Sequence, residues 1–269
     1  MNFPKIAVVI STCSNEKQFF DKLIEQCRIF ASQIIVSLGS SLHDGSYETE
    51  EAEYIQYLTQ NETYRDILFV NYEVTKIIEY NPLKRRPQAF WANIARMAGA
   101  MNINEDIDWI MFIDGDEIPE GDIFKTWLEN TVLDQNCSYK FANYWYFRDV
   151  IYQADQWEDS ILMVPRKPFL DKETNMVLMQ DDERDAIAVY FNCIRNVLSK
   201  EGKPMFHHFS WARTKKQILK KIQTWGHRDD KNWIELVEEM WSKPFDGRDC
   251  VHNYNYTIVP NVFSLLLSD

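Results

Sequence analysis

The sequence lacks most of the signals that place a chain quickly. No stretch approaches the roughly 20 apolar residues that a membrane-crossing helix needs. The early run "IAVVI" is too short for a signal-peptide core and passes straight into the polar "STCSNE". The five cysteines, Cys13, Cys27, Cys137, Cys193 and Cys250, are scattered, odd in number and free of any C-x-x-C pair. That excludes a zinc ribbon or a disulfide framework and points to a reducing, cytoplasmic compartment. There is no Gly/Ser linker, no internal repeat, and no glycine-rich phosphate loop after the first apolar run, which counts against a nucleotidyltransferase. Positive charge is also in deficit: 29 Lys and Arg stand against 41 Asp and Glu, a net charge of −12. Such a balance argues against general binding to nucleic acid or anionic membrane, while a local basic patch could still hold phosphate. What remains is a chain of 269 residues, 45% hydrophobic, large enough for one core and directed at a small partner.

The apolar pattern alternates in kind. "KIAVVIS" reads as a strand covered on both faces, and Phe19, Phe20, Leu23, Ile24, Cys27 and Phe30 follow at helical spacing. "QIIVSL" and "DILFVNYE" repeat the strand signature, with "SYETEEAEYIQYLTQ" between them as a surface helix. "QAFWANIARMAGAMNI" reads as a helix and "DWIMFID" as a fourth strand. The alternation predicts an α/β fold with a mostly parallel sheet flanked by helices. Beyond residue 120 the pattern becomes α+β, with "SYKFANYWYF" and "DSILMVPRK" as a hairpin or meander. In "TKKQILKKIQTW" the residues Ile218, Leu219, Ile222 and Trp225 form an apolar stripe, and Lys215, Lys216, Lys220 and Lys221 are expected on a solvated face. One domain over residues 1–269 is expected, with the halves 1–119 and 120–269 doing different work.

The informative stretch is "FIDGDEIP", where Asp114, Asp116 and Glu117 crowd the end of a strongly apolar strand. Residues two apart on an extended chain point to the same side, and Gly115 between the aspartates would let a ligand approach the backbone. In open α/β sheets the carboxyl ends of the strands are where ligands bind. Two carboxylates there suit a hard divalent ion, Mn²⁺ or Mg²⁺, that keeps positions open for phosphate oxygens.

From "VVISTCSNEKQFFDKLIEQC" through "WIMFIDGDEIP" to "HHFSWART", the sequence resembles nucleotide-sugar glycosyltransferases of the GT-A fold. The likeness is to family-2-like enzymes and to the family of the bisecting N-acetylglucosaminyltransferase. It implies a GT-A fold with a nucleotide-sugar-binding half over 1–119 and an acceptor-binding half over 120–269. It also implies metal-assisted, inverting transfer from a nucleoside diphosphate, best taken as UDP, to a hydroxyl of a glycan. On that resemblance Asp114 stands near ribose and metal, Asp116 is a direct metal ligand, Glu117 supports them from behind, and His208 reaches the metal from the C-terminal half. His207 is the competing choice, since alternation sends the two histidines to opposite faces. Thr12 and Ser14 would touch base or ribose. One departure stands out: the acid that family-2 enzymes carry after the second strand is missing from "VSLGSS", leaving Asp44 or Glu48 to replace it. Asn93 and Arg96 echo a family-2 helix in a different order.

Negative charge that develops on a departing diphosphate calls for fixed cations. Lys84, Arg85 and Arg86 in "KRRP", and His227, Arg228 and Lys231 in "WGHRDDKNW", are the candidates. Direct displacement also needs a base for the acceptor hydroxyl. Asp159 and Glu158 at the start of a strand, and Asp181, Asp182, Glu183 and Asp185 in "QDDERD", are candidates, with Asp159 preferred. "NYWYF" and Trp157 offer rings for a sugar face. Two other readings compete. In a haloacid-dehalogenase-like phosphatase Asp114 would be the nucleophile, with Asp181 and Asp182 completing a metal site. A non-catalytic carbohydrate-binding protein would use the aromatics alone.

Overall fold

A computed structural model describes residues 3–42, 45–73, 87–170, 184–189, 191, 193–224, 227 and 230–267, with the backbone alone at 87–91, 185, 186 and 189. The first half is a repeated strand and helix: β1 Ile6–Thr12, α1 Lys17–Cys27, β2 Gln33–Gly39, α2 Thr49–Gln60, β3 Leu68–Tyr72, α3 Pro87–Ala100 and β4 Trp109–Asp114. β1 pairs in parallel with β2 on one side and β4 on the other, and β2 pairs in parallel with β3. Alternation within β1 shows why both faces are apolar. Ile6, Val8 and Ile10 pack with Phe19, Phe20 and Leu23 of α1, whereas Ala7 and Val9 turn to the opposite face with Ile35 and Ala100.

The second half contains β5 Glu117–Pro119, α4 Gly121–Glu129, β6 Cys137–Phe147, β7 Tyr152–Pro165, α5 Arg166–Phe169 and α6 Arg184–Val189. It continues through β8 Cys193–Val197, β9 Phe206–Trp211, α7 Lys215–Thr224, α8 Trp233–Trp241 and β10 Tyr256–Ile258. These strands extend the same sheet in the order β3-β2-β1-β4-β7-β6-β9-β5, with β10 on β7 and β8 on β6. The sheet is parallel through β4 and mixed beyond it: β7 joins β4 and β6 antiparallel, as the meander reading expects, and β9 runs parallel to β6. The fold is therefore α/β, with one sheet passing through both halves of the sequence. A third apolar cluster, of Trp145, Phe147, Trp211, Ile218, Ile222, Trp233 and Val237, seats α7 and α8 against β6 and β9. All five cysteines are free thiols. No described helix is long and apolar enough to cross a membrane.

Candidate active site

Asp114 closes β4 opposite Ser11 of β1, and the chain then turns through Gly115 and Asp116 before β5 starts at Glu117. The acids are therefore distributed by a turn, where the sequence reading expected strand alternation. Asp114 keeps 32% of its side chain exposed, while Asp116 and Glu117 are buried. Gly115 does not open its backbone to a ligand. A Cβ at this position would lie 2.5 Å from both Thr12 Oγ1 and Glu16 Oε2, so the room left by the missing side chain is filled by the protein itself.

Each carboxylate has cationic partners. Glu117, fully buried, takes Arg184 in a two-pronged pair at 2.7 Å on each oxygen, and it also accepts from Ser160 Oγ at 2.6 Å and from the Asp114 amide at 2.8 Å. Asp116 Oδ2 accepts from Arg213 Nη2 at 2.7 Å and Lys221 Nζ at 2.9 Å; its Oδ1 faces His208 Nε2 at 3.4 Å. Lys221 is anchored further by the Ser210 carbonyl and hydroxyl. Arg213 donates also to the backbone of Ser210 and Asn15 and lies over the Phe19 ring. Asp114 is held more loosely, by Arg96 at 3.3 and 3.5 Å and by Arg184 at 3.4 Å. Asn93 Oδ1 receives Arg96 Nη1 at 3.1 Å.

Burial alone would raise both aspartate pKa values, but the surrounding charges reverse this. Arg184 and Arg96 hold Asp114 below the usual carboxylate range; Lys221, His208 and Arg213 hold Asp116 well below it. Burial disfavours the cation of His208, yet the bond to Asp116 raises its pKa. Glu16 behaves in the opposite way. Burial, then the charge of Asp116, pushes it up to about 8 against the pull of Arg213 and Lys221. Four cations, Arg96, Arg184, Arg213 and Lys221, thus pair with the three carboxylates Asp114, Asp116 and Glu117.

These cations supply counter-charge to the acidic cluster, and two of them share Asp116, one of the residues expected to hold a metal ion. The better-buried aspartate has one oxygen occupied by two cations and the other 3.4 Å from His208 Nε2. Among the described residues no group of three His, Cys, Asp or Glu side chains is placed to hold a metal ion. The donors do not fit Mn²⁺ or Mg²⁺.

Next to the acidic turn lies a set of buried hydroxyls without protein partners. Thr12 Oγ1, Ser14 Oγ and Tyr54 OH gather where β1 ends; Tyr54 lies beside Thr12 and Ser14 beside Glu51, and none of the three makes a hydrogen bond of ordinary geometry. Ser37 and Ser41, in and just after β2, are likewise unpartnered. Each buried polar group without a partner costs roughly 1–3 kcal/mol, so a cluster of them marks a place for a polar ligand. Glu51, expected on a surface helix, is buried here and accepts from the Ser14 amide at 2.7 Å. It supplies an acid to this corner, whereas Glu48 is tied to Lys220 at 2.6 Å.

The remaining predicted residues fall in several places. His207 points away from Asp116, toward Tyr146 OH at 2.7 Å and Glu120 at 3.1 Å. His208 and His252 each meet Trp145 with ring centroids 4.8 Å apart. Glu158 joins this group through His252 Nδ1 at 3.3 Å and Tyr254 OH at 3.2 Å. Asp159 stands opposite Ala142 in the β6–β7 ladder. His227 pairs with Asp230 at 2.9 Å, and Lys231 donates to the Val251 carbonyl. Asp44, Lys84, Arg85, Arg86, Asp181, Asp182, Glu183 and Arg228 lie outside the described residues, as does the side chain of Asp185.

Lys221 is a correction: it leaves the solvated face assigned to it and enters the acidic turn. Arg184 was not singled out by the sequence and belongs to a short helix with little periodicity. Arg213 was visible only as the cation of "HHFSWART", and Glu16 and Glu51 only as ordinary helix-flanking acids.

No known protein family and no curated protein matches the chain. Among solved structures, it is similar to an active-site mutant of LgtC at 10% identity, covering 95% of this chain and 97% of that one, with a TM-score of 0.43. The glycosyltransferase GlyE of Streptococcus pneumoniae TIGR4 gives 10%, 90%, 64% and 0.41 for the same quantities. A 4-diphosphocytidyl-2C-methyl-D-erythritol synthase from Anaerococcus prevotii DSM 20548 gives 11%, 75%, 92% and 0.36. Likenesses this distant say nothing about the chemistry of the site.

Proposed function

We propose that the chain is a glycosyltransferase of GT-A type that moves a sugar from a nucleoside diphosphate, UDP being the first choice, to a hydroxyl of a glycan. One observation carries this reading. At the carboxyl ends of β1 and β4, buried hydroxyls without well-formed hydrogen bonds adjoin a buried group of four cations paired with three carboxylates. A nucleotide sugar needs both, polar groups for base and ribose and fixed positive charge for the diphosphate.

Thr12, Ser14 and Tyr54 are assigned to the nucleoside, with the carboxylate of Glu51 as an acceptor for base N–H groups. Glu158 is assigned as the base, because its contacts to His252 and Tyr254 tie it through Trp145 to His208. It takes the acceptor hydroxyl's proton, the acceptor oxygen bonds to the anomeric carbon, and the bond from that carbon to the diphosphate breaks. The electron pair leaves with the phosphate oxygen, where the arginines stabilise it. One displacement inverts the anomeric centre. Trp157, which is opposite Tyr144 in the β6–β7 ladder and half exposed, offers a ring for the acceptor's apolar face.

Saturation-transfer NMR with UDP-, GDP- and CMP-sugars tests the reading. Signals should appear on the base and ribose protons of one nucleotide and be lost in Thr12→Val and Glu51→Gln. If the whole panel gives no transfer to folded protein, the site is not a nucleotide-sugar site.

A further inference from the structure

We propose that this site meets its diphosphate with fixed arginines and works without a divalent ion; the inference rests on the glycosyltransferase reading and names how that site handles charge. The contacts around the acidic turn divide into two classes by length. The pairs Arg184–Glu117, Arg213–Asp116 and Lys221–Asp116 measure 2.7–2.9 Å, the range of fully formed charge-assisted bonds. Those around Asp114 measure 3.3–3.5 Å.

The short pairs remove Asp116 from metal duty. A divalent ion at Oδ2 would have to displace an ammonium and a guanidinium that are both buried. It would also bring two more positive charges to carboxylates that already pair with four cations. A diphosphate brings the opposite sign, which buried guanidiniums can meet directly.

The long contacts leave Arg96 with spare donors and Arg184 with one weakly used bond. Arg96 is 93% buried by side chain, and its Nε has no protein acceptor. A guanidinium carries five N–H donors, and Arg96 directs Nη2 loosely at Asp114 and one N–H of Nη1 at Asn93. Arg184 spends its strong bonds on Glu117 and only a 3.4 Å contact on Asp114. Asp114, the most exposed of the three acids, is thus a weakly held counter-ion between two arginines. An incoming phosphate can share or replace it, so the guanidiniums that hold Asp114 also hold the leaving group.

Two titrations on the full chain decide the matter. In the first, Mn²⁺ is added and free ion is read by its electron paramagnetic resonance; no saturable site is expected at millimolar concentrations. In the second, UDP, GDP and their sugars are titrated calorimetrically in EDTA and again in MnCl₂, with the affinity of the bound nucleotide expected to agree within about threefold, well under 1.4 kcal/mol. Arg96→Met should then lose at least about tenfold in nucleotide affinity, and Arg96→Lys should recover part of it. Thermal melts of both variants identify any that fail to fold, in which case Arg184→Lys is read instead.

One Mn²⁺ bound per chain and released by Asp116→Asn would overturn the inference, as would nucleotide binding that appears only with metal; the glycosyltransferase reading would survive both. Absence of nucleotide binding in either buffer would overturn that reading and this inference with it.

Discussion

The pair between Glu117 and Arg184 gives the sharpest test of whether the acidic cluster is bound up in the protein's own structure. Glu117 is fully inaccessible, and the facing guanidinium is about nine-tenths buried. Removing one partner of such a pair leaves a buried charge uncompensated, at a cost of about 3–5 kcal/mol. Glu117→Met should sit near the lower end, about 3 kcal/mol, because Arg184 keeps a 3.4 Å contact to Asp114. Arg184→Met should cost a similar amount. In the double variant neither charge remains, and two thioether side chains of comparable length fill the space, so the total loss should be well below the sum of the single losses. With an m-value of about 3 kcal/mol/M, each single variant would lower the urea midpoint by about 1 M, read by tryptophan fluorescence. Single losses below about 1 kcal/mol, or strictly additive losses, would show that the pair is not a coupled buried unit.

Other expectations follow from the same geometry. Glu16, with its pKa raised to about 8 from 4.5, keeps its proton in the folded state where the unfolded chain has lost it. Stability should therefore fall as pH rises from about 4.5 to 8, and Glu16→Gln should flatten that decline by about 2–4 kcal/mol, measured as urea midpoints across the range. Asp116→Asn should lower the melting temperature equally in EDTA and in MnCl₂, since it removes the partner of Arg213 and Lys221; a destabilisation seen only with metal would contradict this assignment. Glu158→Gln should leave nucleotide binding unchanged and slow donor turnover by roughly 10²- to 10⁴-fold, followed as nucleotide release from the bound sugar nucleotide. Unaltered turnover would send the search for a base elsewhere.

Much of the architecture was legible because the signals are local. "KIAVVIS" and "DWIMFID" announce strands buried on both faces, and the structure pairs them side by side. The β6–β7 hairpin followed from its aromatic and apolar runs. The acidic turn was also found in sequence, but its partners were not, because long-range pairing leaves little local trace. Arg184 stands 67 residues from Glu117, and Lys221 stands 105 from Asp116. One of these could have been caught. Lys221 lies three residues after Ile218 and one before Ile222, so a helical wheel puts it beside the apolar stripe, and a lysine there needs a buried carboxylate. Glu51 gives the same lesson, since it is three residues before Tyr54 and seven before Leu58, both buried on that face of α2.

The helix α7 is fastened at neighbouring positions by two lysines in different surroundings. Lys220 reaches the partly exposed Glu48 and Glu50 at 2.6 and 2.7 Å, while Lys221 reaches buried Asp116. Salt acts on the first and barely on the second, because screening over about 8 Å at physiological ionic strength weakens charges that face water and spares those that do not. In dilute buffer α7 is held by both lysines and by its apolar stripe; in concentrated salt the stripe and Lys221 carry it, and only the edge facing Glu48 and Glu50 loosens.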